Sequence, residues 1–186
     1  MLPPDCTYVG LDYPTTVSKG YPGQPDVFGD AQKLPFRASS FDTVLMMDVL
    51  EHLPGPDQAI SEAFHSLKPG GHLILQVPFL YPLHDEPHDF HRWTAYGLRQ
   101  LCTIHGLKIE SGIYQGQPSE TAAALFTIAV AKGIVDSISN KKTTMLLAPL
   151  MLLTIPLVNL IGWLLARVLP DSDMMPMSYR LTAIKP

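Results

Sequence analysis

The sequence predicts an α/β fold with a doubly wound, mostly parallel sheet. Apolar runs of strand length alternate with amphipathic segments of helix length along residues 1–117. The clearest unit is Phe41–Phe79, where FDTVLMMDVLEHL precedes a helical segment and then LKPGGHLILQVPF. Links of this length suit the right-handed crossover between parallel strands. Because ligands bind at the carboxyl ends of such strands, Asp48, Glu51 and His52 stand where chemistry is expected.

The individual elements follow from periodicity and from the residues that interrupt it. The helix predicted over Asp57–Leu67 has its apolar residues on one stripe and ends at the Pro-Gly-Gly turn of residues 69–71. Thr94 is predicted to cap a second helix that runs to about His105. The predicted strands, with a loop over Tyr13–Pro25 after the first, are Thr7–Leu11, Asp26–Gly29, Thr43–Met47, Leu73–Val77 and Leu107–Ile113.

Composition limits the classes of function. The 186 residues suit one domain with an appendage, and a net charge of −4 offers no basic surface to nucleic acid. The two cysteines, Cys6 and Cys102, cannot form a disulfide framework, which favours a reduced, intracellular setting. The first ten residues lack the basic start and apolar core of a secretory signal. A cytoplasmic protein without a nucleic-acid partner is therefore expected.

Six segments resemble, in the same order, segments of the class I S-adenosylmethionine (SAM)-dependent methyltransferases of the small-molecule, type 11-like branch. They are Tyr8–Asp12 (YVGLD), Gly29–Phe36 (GDAQKLPF), Phe41–Leu53, Leu67–Val77 (LKPGGHLILQV), His88–Leu101 with the strand after it, and Pro176–Pro186 (PMSYRLTAIKP). The resemblance implies a Rossmann-like sheet with an antiparallel last strand. It also implies SAM as the cofactor and a small molecule as the methyl acceptor.

The same resemblance implies which residues bind the cofactor. Asp12 matches the acid that holds the ribose hydroxyls of SAM, and the alternative is a solvent-facing loop acid. Asp30 matches the residue beside the adenine amino group, with the backbone of Ala31 nearby. Asp48 matches a residue that orients the amino group of the methionine part, and the alternative is a helix-capping acid. One piece is missing, because no Gly-rich loop precedes Asp12, and the chain is therefore expected to be truncated at its start.

Several histidines are candidate proton acceptors for the methyl transfer. His52 stands four residues after Asp48, on the same side of a helical turn, and an imidazole can act as a base near neutral pH; the alternative is a surface histidine. His88 and His91 lie in the loop sequence HDEPHDFH, which is expected to face the substrate. The spacing of that loop is interrupted by Pro87 and no further Cys or His pattern accompanies it, so no metal is expected there.

The loop is followed by Arg92, for which two roles stay open. Its guanidinium can pair with Asp89 or hold an anionic group of the substrate.

The stretch after residue 117 is far more apolar than the core. Thr121–Val135 contains one lysine, and Met145–Ala166 has no charge over 22 residues between Lys141-Lys142 and Arg167. We expect an apolar helical hairpin over residues 118–172, inserted between a partial core of residues 1–117 and its last strand in residues 173–186. Membrane-surface contact through residues 121–168, a lid over a lipid-like substrate, a membrane-crossing pair, ordinary packing and a dimer seam are the open readings.

Three functions are compatible with this sequence. The first is SAM-dependent methyl transfer to a small, lipid-linked or glycan-type acceptor, in the cytoplasm or at the inner face of the membrane. The second is a non-catalytic remnant or partner subunit that keeps the sheet without binding the cofactor. The third is a membrane-associated binding module whose hairpin is the functional part. The oligomeric state and the methylated atom are not encoded in any recognisable pattern.

Overall fold

The computed structural model describes residues 6–14 and 24–186, so most of the predicted loop Tyr13–Pro25 lies outside the described residues. The strands are β1 (Leu11–Asp12), β2 (Val27–Phe28), β3 (Phe41–Met47), β4 (Leu67–Pro78), β5 (Lys108–Gln115) and β6 (Ser178–Ile184). The α-helices are α1 (Pro56–Ser66), α2 (Ala95–Ile104), α3 (Pro118–Ser139) and α4 (Ala148–Val168), and short 3-10 segments cover Leu50–His52 and Thr143–Leu147.

The described strands form two sheets. β1 and β2 pair in parallel, with Leu11 opposite Val27. The larger sheet has the order β3-β4-β6-β5, in which β3 and β4 are parallel and β6 runs antiparallel to both of its neighbours. The prediction of an antiparallel last strand is confirmed, and so is the Rossmann-like α/β class. Within the described residues, β3 forms an edge of the larger sheet.

The hydrophobic core lies between one face of the larger sheet and helices α1 and α2. Alternate residues of β4 point inward because strand side chains alternate between faces, and Leu73, Leu75 and Val77 are fully buried. They pack with Ile60 of α1 and Leu98 of α2 in one cluster. Burial of this apolar surface is what fixes the register of the sheet.

The opposite face of that sheet is less covered by the described residues. Leu45 and Met47 of β3 and Ile113 of β5 are exposed there.

Several element boundaries differ from the predicted ones, and two of the differences have a clear cause. The first strand begins at Leu11 rather than Thr7, because the Gly10 N–H donates to the Asp26 carboxylate at 2.7 Å and only the Gly10 carbonyl joins the ladder. The Pro-Gly-Gly segment does not stop α1, which already ends at Ser66. That segment lies in a bulge at the start of β4, where the register shifts between Phe41 and Thr43 of the partner strand.

The predicted cap of the second helix is confirmed. The Thr94 side chain accepts a hydrogen bond from the Gly97 N–H at 3.1 Å and so begins α2. This cap fixes the point at which the loop between β4 and α2 ends.

Helices α3 and α4 form the predicted apolar hairpin. Both are long and apolar enough to cross a membrane by length and composition. Pro156 lies inside α4 without ending it. Small residues line the contact between the helices, since the Ser119 hydroxyl donates to the Gly162 carbonyl at 3.0 Å and Thr127 bonds Asn159 at 3.3 Å. The division into residues 1–117, 118–172 and 173–186 stays a prediction.

Candidate active site

A cavity of about 580 Å³ lies at the carboxyl ends of β1, β2 and β3. This volume is in the usual range for small-molecule sites. The residues that follow the strand ends form much of its wall, because the carboxyl ends of parallel strands open at the same edge. Its wall includes six of the seven residues predicted for the site: Asp12, Asp30, Ala31, Asp48, His52 and His88.

Asp12 and Asp30 are held by short local hydrogen bonds. One carboxylate oxygen of Asp12 accepts from the Tyr13 N–H at 2.7 Å. Asp30 accepts from the Gln32 N–H at 2.8 Å, which closes a turn directly after β2. The Gln32 side chain then accepts from the Gly55 N–H at 2.7 Å. This chain of contacts joins the end of β2 to the start of α1.

Asp48 turns sharply out of β3. Its φ of +54° is left-handed, a conformation that Asp tolerates better than most residues. The Asp48 carboxylate accepts from the Gln76 side-chain amide at 3.0 Å, and Gln76 accepts from Arg180 at 2.9 Å. Side chains from β4 and β6 therefore fix the acid that follows β3.

His52 ends the 3-10 turn after β3. Its Nδ1 lies 2.8 Å from the His88 carbonyl oxygen. Because a carbonyl only accepts, Nδ1 carries the proton and, in the neutral ring, Nε2 keeps its lone pair. Nε2 is 3.7 Å from an oxygen of Glu51.

Glu51 is the residue whose role the sequence did not reveal. Its side chain is fully buried, and neither carboxyl oxygen has a hydrogen-bond partner among the described residues. Burial raises the pKa of Glu51 above its ordinary value. The sequence placed this acid at a strand end, but no periodicity indicated that it would be enclosed.

The loop between β4 and α2 is pinned by Arg92 and Asp89. Arg92 donates to both carboxylate oxygens, at 2.5 and 2.7 Å, and also to the carbonyls of Tyr81, Pro82 and His91. This pair lowers the pKa of the nearly buried Asp89 well below its usual range, chiefly through the hydrogen bonds from Arg92. Of the two roles left open for Arg92, pairing with Asp89 is the one found.

His88 and His91 differ in position. His88 borders the cavity, and its ring contacts Phe90 at 6.2 Å between centroids. His91 is not among the cavity-lining residues, and its ring lies 5.5 Å from that of Trp93. The structure therefore brings His52 and His88 to the predicted site and leaves His91 beside it.

The sequence of this region matches a known family. Residues 4–75 match the family described as Methyltransferase domain, and the match covers β1 to β3 together with Asp12, Asp30 and Asp48 of the cavity wall. This match supports a class I SAM-dependent methyltransferase. SAM is the cofactor of this family.

Two relatives of known sequence each align with part of this chain. A probable SAM-dependent methyltransferase of Mycolicibacterium smegmatis is 32% identical over 120 residues, 58% of this chain and 47% of that protein. The sterol 4-C-methyltransferase of Caenorhabditis elegans is 30% identical over 87 residues, 47% of this chain and 26% of that protein. The chain thus spans about half the length of the first relative and about a quarter of the second.

Solved structures show the same fold at low sequence identity. The cyclase SpnF aligns with a TM-score of 0.52 and 22% identity over 86% of this chain and 55% of that one. A SAM-dependent methyltransferase of Thermotoga maritima aligns with a TM-score of 0.51 and 14% identity over 86% of this chain and 63% of that one. Since one neighbour is a cyclase, the methyltransferase fold alone does not fix the reaction.

Proposed function

We propose that this methyltransferase domain binds SAM in the cavity and transfers the methyl group to a small acceptor of apolar, lipid-linked character. The observation that carries the proposal is the convergence of Asp12, Asp30 and Asp48 on one cavity at successive strand ends. A nucleoside with a positively charged sulfonium and ammonium fits such a set of acids, because opposite charges attract and carboxylates accept ribose hydroxyls.

The position of each of these three acids suggests which part of SAM it would bind. Asp12 would accept the two ribose hydroxyls, and Asp30 would accept from the adenine amino group beside the Ala31 backbone. Asp48, held by Gln76, would accept from the ammonium of the methionine part. Bound SAM supplies an activated methyl group. The protein then needs only to align the acceptor and to take a proton where the acceptor carries one.

His88 is the proposed proton acceptor. His88 borders the cavity, and its backbone carbonyl orients His52. His52 and His91, also predicted as bases, have less support: His52 Nε2 faces Glu51, and His91 does not line the cavity. A general base must reach the proton that it removes, so a histidine on the cavity wall, such as His88, is better placed to act as the base.

The apolar hairpin is the basis for the proposed acceptor class and for membrane contact. Helix α4 is hydrophobic on most of its surface, with Leu150 65% and Leu153 70% exposed. The Gln117 side chain bonds Asp171 at 2.8 Å and the Ser172 N–H at 3.2 Å, so the two ends of the hairpin meet beside the sheet. A hairpin with joined ends enters and leaves a bilayer on one side, which keeps the core in the cytoplasm against the inner face.

SAM binding tests the cofactor part of this proposal. We expect isothermal titration calorimetry of the full chain in mild detergent to show one SAM site, weakened in Asp12→Asn. The absence of heat at millimolar SAM would instead favour a non-catalytic or partner-dependent protein. The outer edge of β3, which lacks a strand neighbour among the described residues, is the observation that favours that second candidate.

Vesicle flotation tests the membrane part. We expect the full chain to float with lipid vesicles and Leu153→Glu to float less, because a charge on α4 is costly in the apolar layer. Ile104→Glu is the matched control, since Ile104 on α2 has a similar exposed fraction of 65%. Equal flotation of the two variants would contradict membrane contact through the hairpin. Transfer of labelled methyl from SAM to extracted lipid would then test the acceptor class.

A further inference from the structure

Three side chains beside the cavity bring their potential ligand atoms together without a hydrogen bond between those atoms. Glu51 Oε1 lies 3.7 Å from His52 Nε2 and 3.7 Å from His84 Nε2. The three potential ligand atoms all lie within 4.8 Å of one another. The rings of His52 and His84 meet edge to face at 4.8 Å between centroids. This cluster draws on two parts of the chain, the turn after β3 and the loop after β4.

Both histidines are oriented by acceptors on their other nitrogen. His52 Nδ1 lies 2.8 Å from the His88 carbonyl, and His84 Nδ1 lies 3.2 Å from the Asp89 carboxylate. These contacts hold the proton on Nδ1 and turn both Nε2 lone pairs toward Glu51. Metal-binding histidines are typically held in this way, with the ring N–H donated to a carbonyl or a carboxylate.

The spacing and burial of Glu51 and the two histidines both suit a bound cation. A separation of 3.7 Å is too long for a hydrogen bond. Two nitrogen or oxygen ligands at zinc bond lengths in tetrahedral geometry lie about 3.4 Å apart. Glu51 is also fully buried without a hydrogen-bond partner among the described residues, a costly arrangement that a bound cation would relieve.

We propose that Glu51, His52 and His84 bind one divalent transition-metal ion of the Zn²⁺ type. Two imidazoles and one carboxylate suit such ions, whereas Mg²⁺ and Ca²⁺ prefer sets of oxygen ligands. Three protein ligands leave a coordination position open, as in catalytic rather than closed structural zinc sites. His52 also lines the cavity, so the ion would border the space proposed for the substrates. The site does not depend on methyl transfer and is testable without SAM.

Metal binding to the full chain tests this site directly. The protein would be purified through a histidine-free tag, stripped with a chelator and titrated with Zn²⁺, Mg²⁺ and Ca²⁺ by calorimetry. We expect one Zn²⁺ per chain and no comparable binding of the other two ions. Zn²⁺ should raise the midpoint of thermal unfolding, because it binds the folded state. Glu51→Gln, His52→Asn and His84→Asn should each lower the affinity by about 100-fold or more, beyond the roughly 10–100-fold cost of losing an outer partner.

His72→Asn is the matched control. His72 faces Glu110 at 3.1 Å on the surface, in a histidine–glutamate pair to which no other described residue adds a third ligand. Its Zn²⁺ affinity should equal that of the parent protein. If the buried Glu51→Gln variant fails to fold, the partly exposed His84→Asn variant decides the question. Undiminished Zn²⁺ binding in the ligand variants, or no stoichiometric binding by the parent, would overturn the site while leaving SAM binding as a separate result.

Discussion

Asp48 and Gln76 join the ends of two neighbouring parallel strands by a hydrogen bond of 3.0 Å. The Asp48 N–H also donates to the Gln76 carbonyl at 2.9 Å, so backbone and side chain both tie this acid to β4. Arg180 of β6 in turn holds the Gln76 side chain. The position of an acid on the cavity wall is therefore set by residues far away in the sequence.

Replacing Gln76 should weaken cofactor binding without removing any cavity acid. In Gln76→Ala the Asp48 carboxylate loses its orienting donor, and we expect SAM affinity to fall roughly tenfold, or about 1.4 kcal/mol. Calorimetry measures the change. Gln115→Ala is the control, because the Gln115 side chain bonds Ser178 at 2.8 Å and does not line the cavity. Equal effects of the two variants would contradict an orienting role for Gln76.

Replacing Asp12 should have a comparable or larger effect. Asp12→Ala removes the proposed acceptor of the ribose hydroxyls, and hydrogen bonds to a charged group support a loss of roughly 1–3 kcal/mol in SAM affinity. Asp42→Ala serves for comparison, because Asp42 pairs with Lys68 on the surface at 2.8 Å. Unchanged affinity in Asp12→Ala would remove this acid from the site.

Two glycines of the hairpin should respond in opposite directions to the same change. A Cβ at Gly162 would lie 2.6 Å from the Ala123 Cβ, whereas a Cβ at Gly133 meets nothing within 4 Å. We expect Gly162→Ala to destabilise the hairpin by about 1–3 kcal/mol through overpacking. Gly133→Ala should stabilise it by about 0.5–1 kcal/mol through helix propensity. Thermal unfolding followed by circular dichroism in detergent measures both, and loss of the sign difference would contradict the close helix contact.

The two cysteines should differ sharply in reactivity. Burial raises the pKa of the Cys102 thiol to about 12, whereas Cys6 is exposed. The folded protein therefore holds the Cys102 thiol in its neutral form. The stabilisation that this thiol contributes is complete below the ordinary thiol pKa and is lost as pH rises toward 12. At mildly alkaline pH we expect iodoacetamide to modify Cys6 alone in the native protein and both cysteines in denaturant, as read by mass spectrometry. Rapid labelling of native Cys102 would show that the core opens there.

Much of the fold could be predicted because it depends on patterns among residues that are close in the sequence. The stripe of apolar residues in α1 and the Thr94 cap of α2 act over one or two helical turns, so sequence spacing alone reports them. The boundary of β1 could not be predicted in this way, since a bond between Gly10 and Asp26 decides where its ladder begins. Such long-range hydrogen bonds form only in the folded protein, and they do not change the hydrophobic periodicity of the sequence.

The amino-acid sequence by itself determined the α/β class, the apolar hairpin and the acids that end successive strands, because turn residues and hydrophobic period act locally. The antiparallel last strand was implied by the resemblance to a known family. Only the tertiary structure decided that Asp12, Asp30 and Asp48 border one cavity, and that His84 is brought across to Glu51 and His52. The burial of Glu51 arises from chain segments that meet only in the folded protein. Side-chain solvation depends on those neighbours, and the linear order of residues does not specify them.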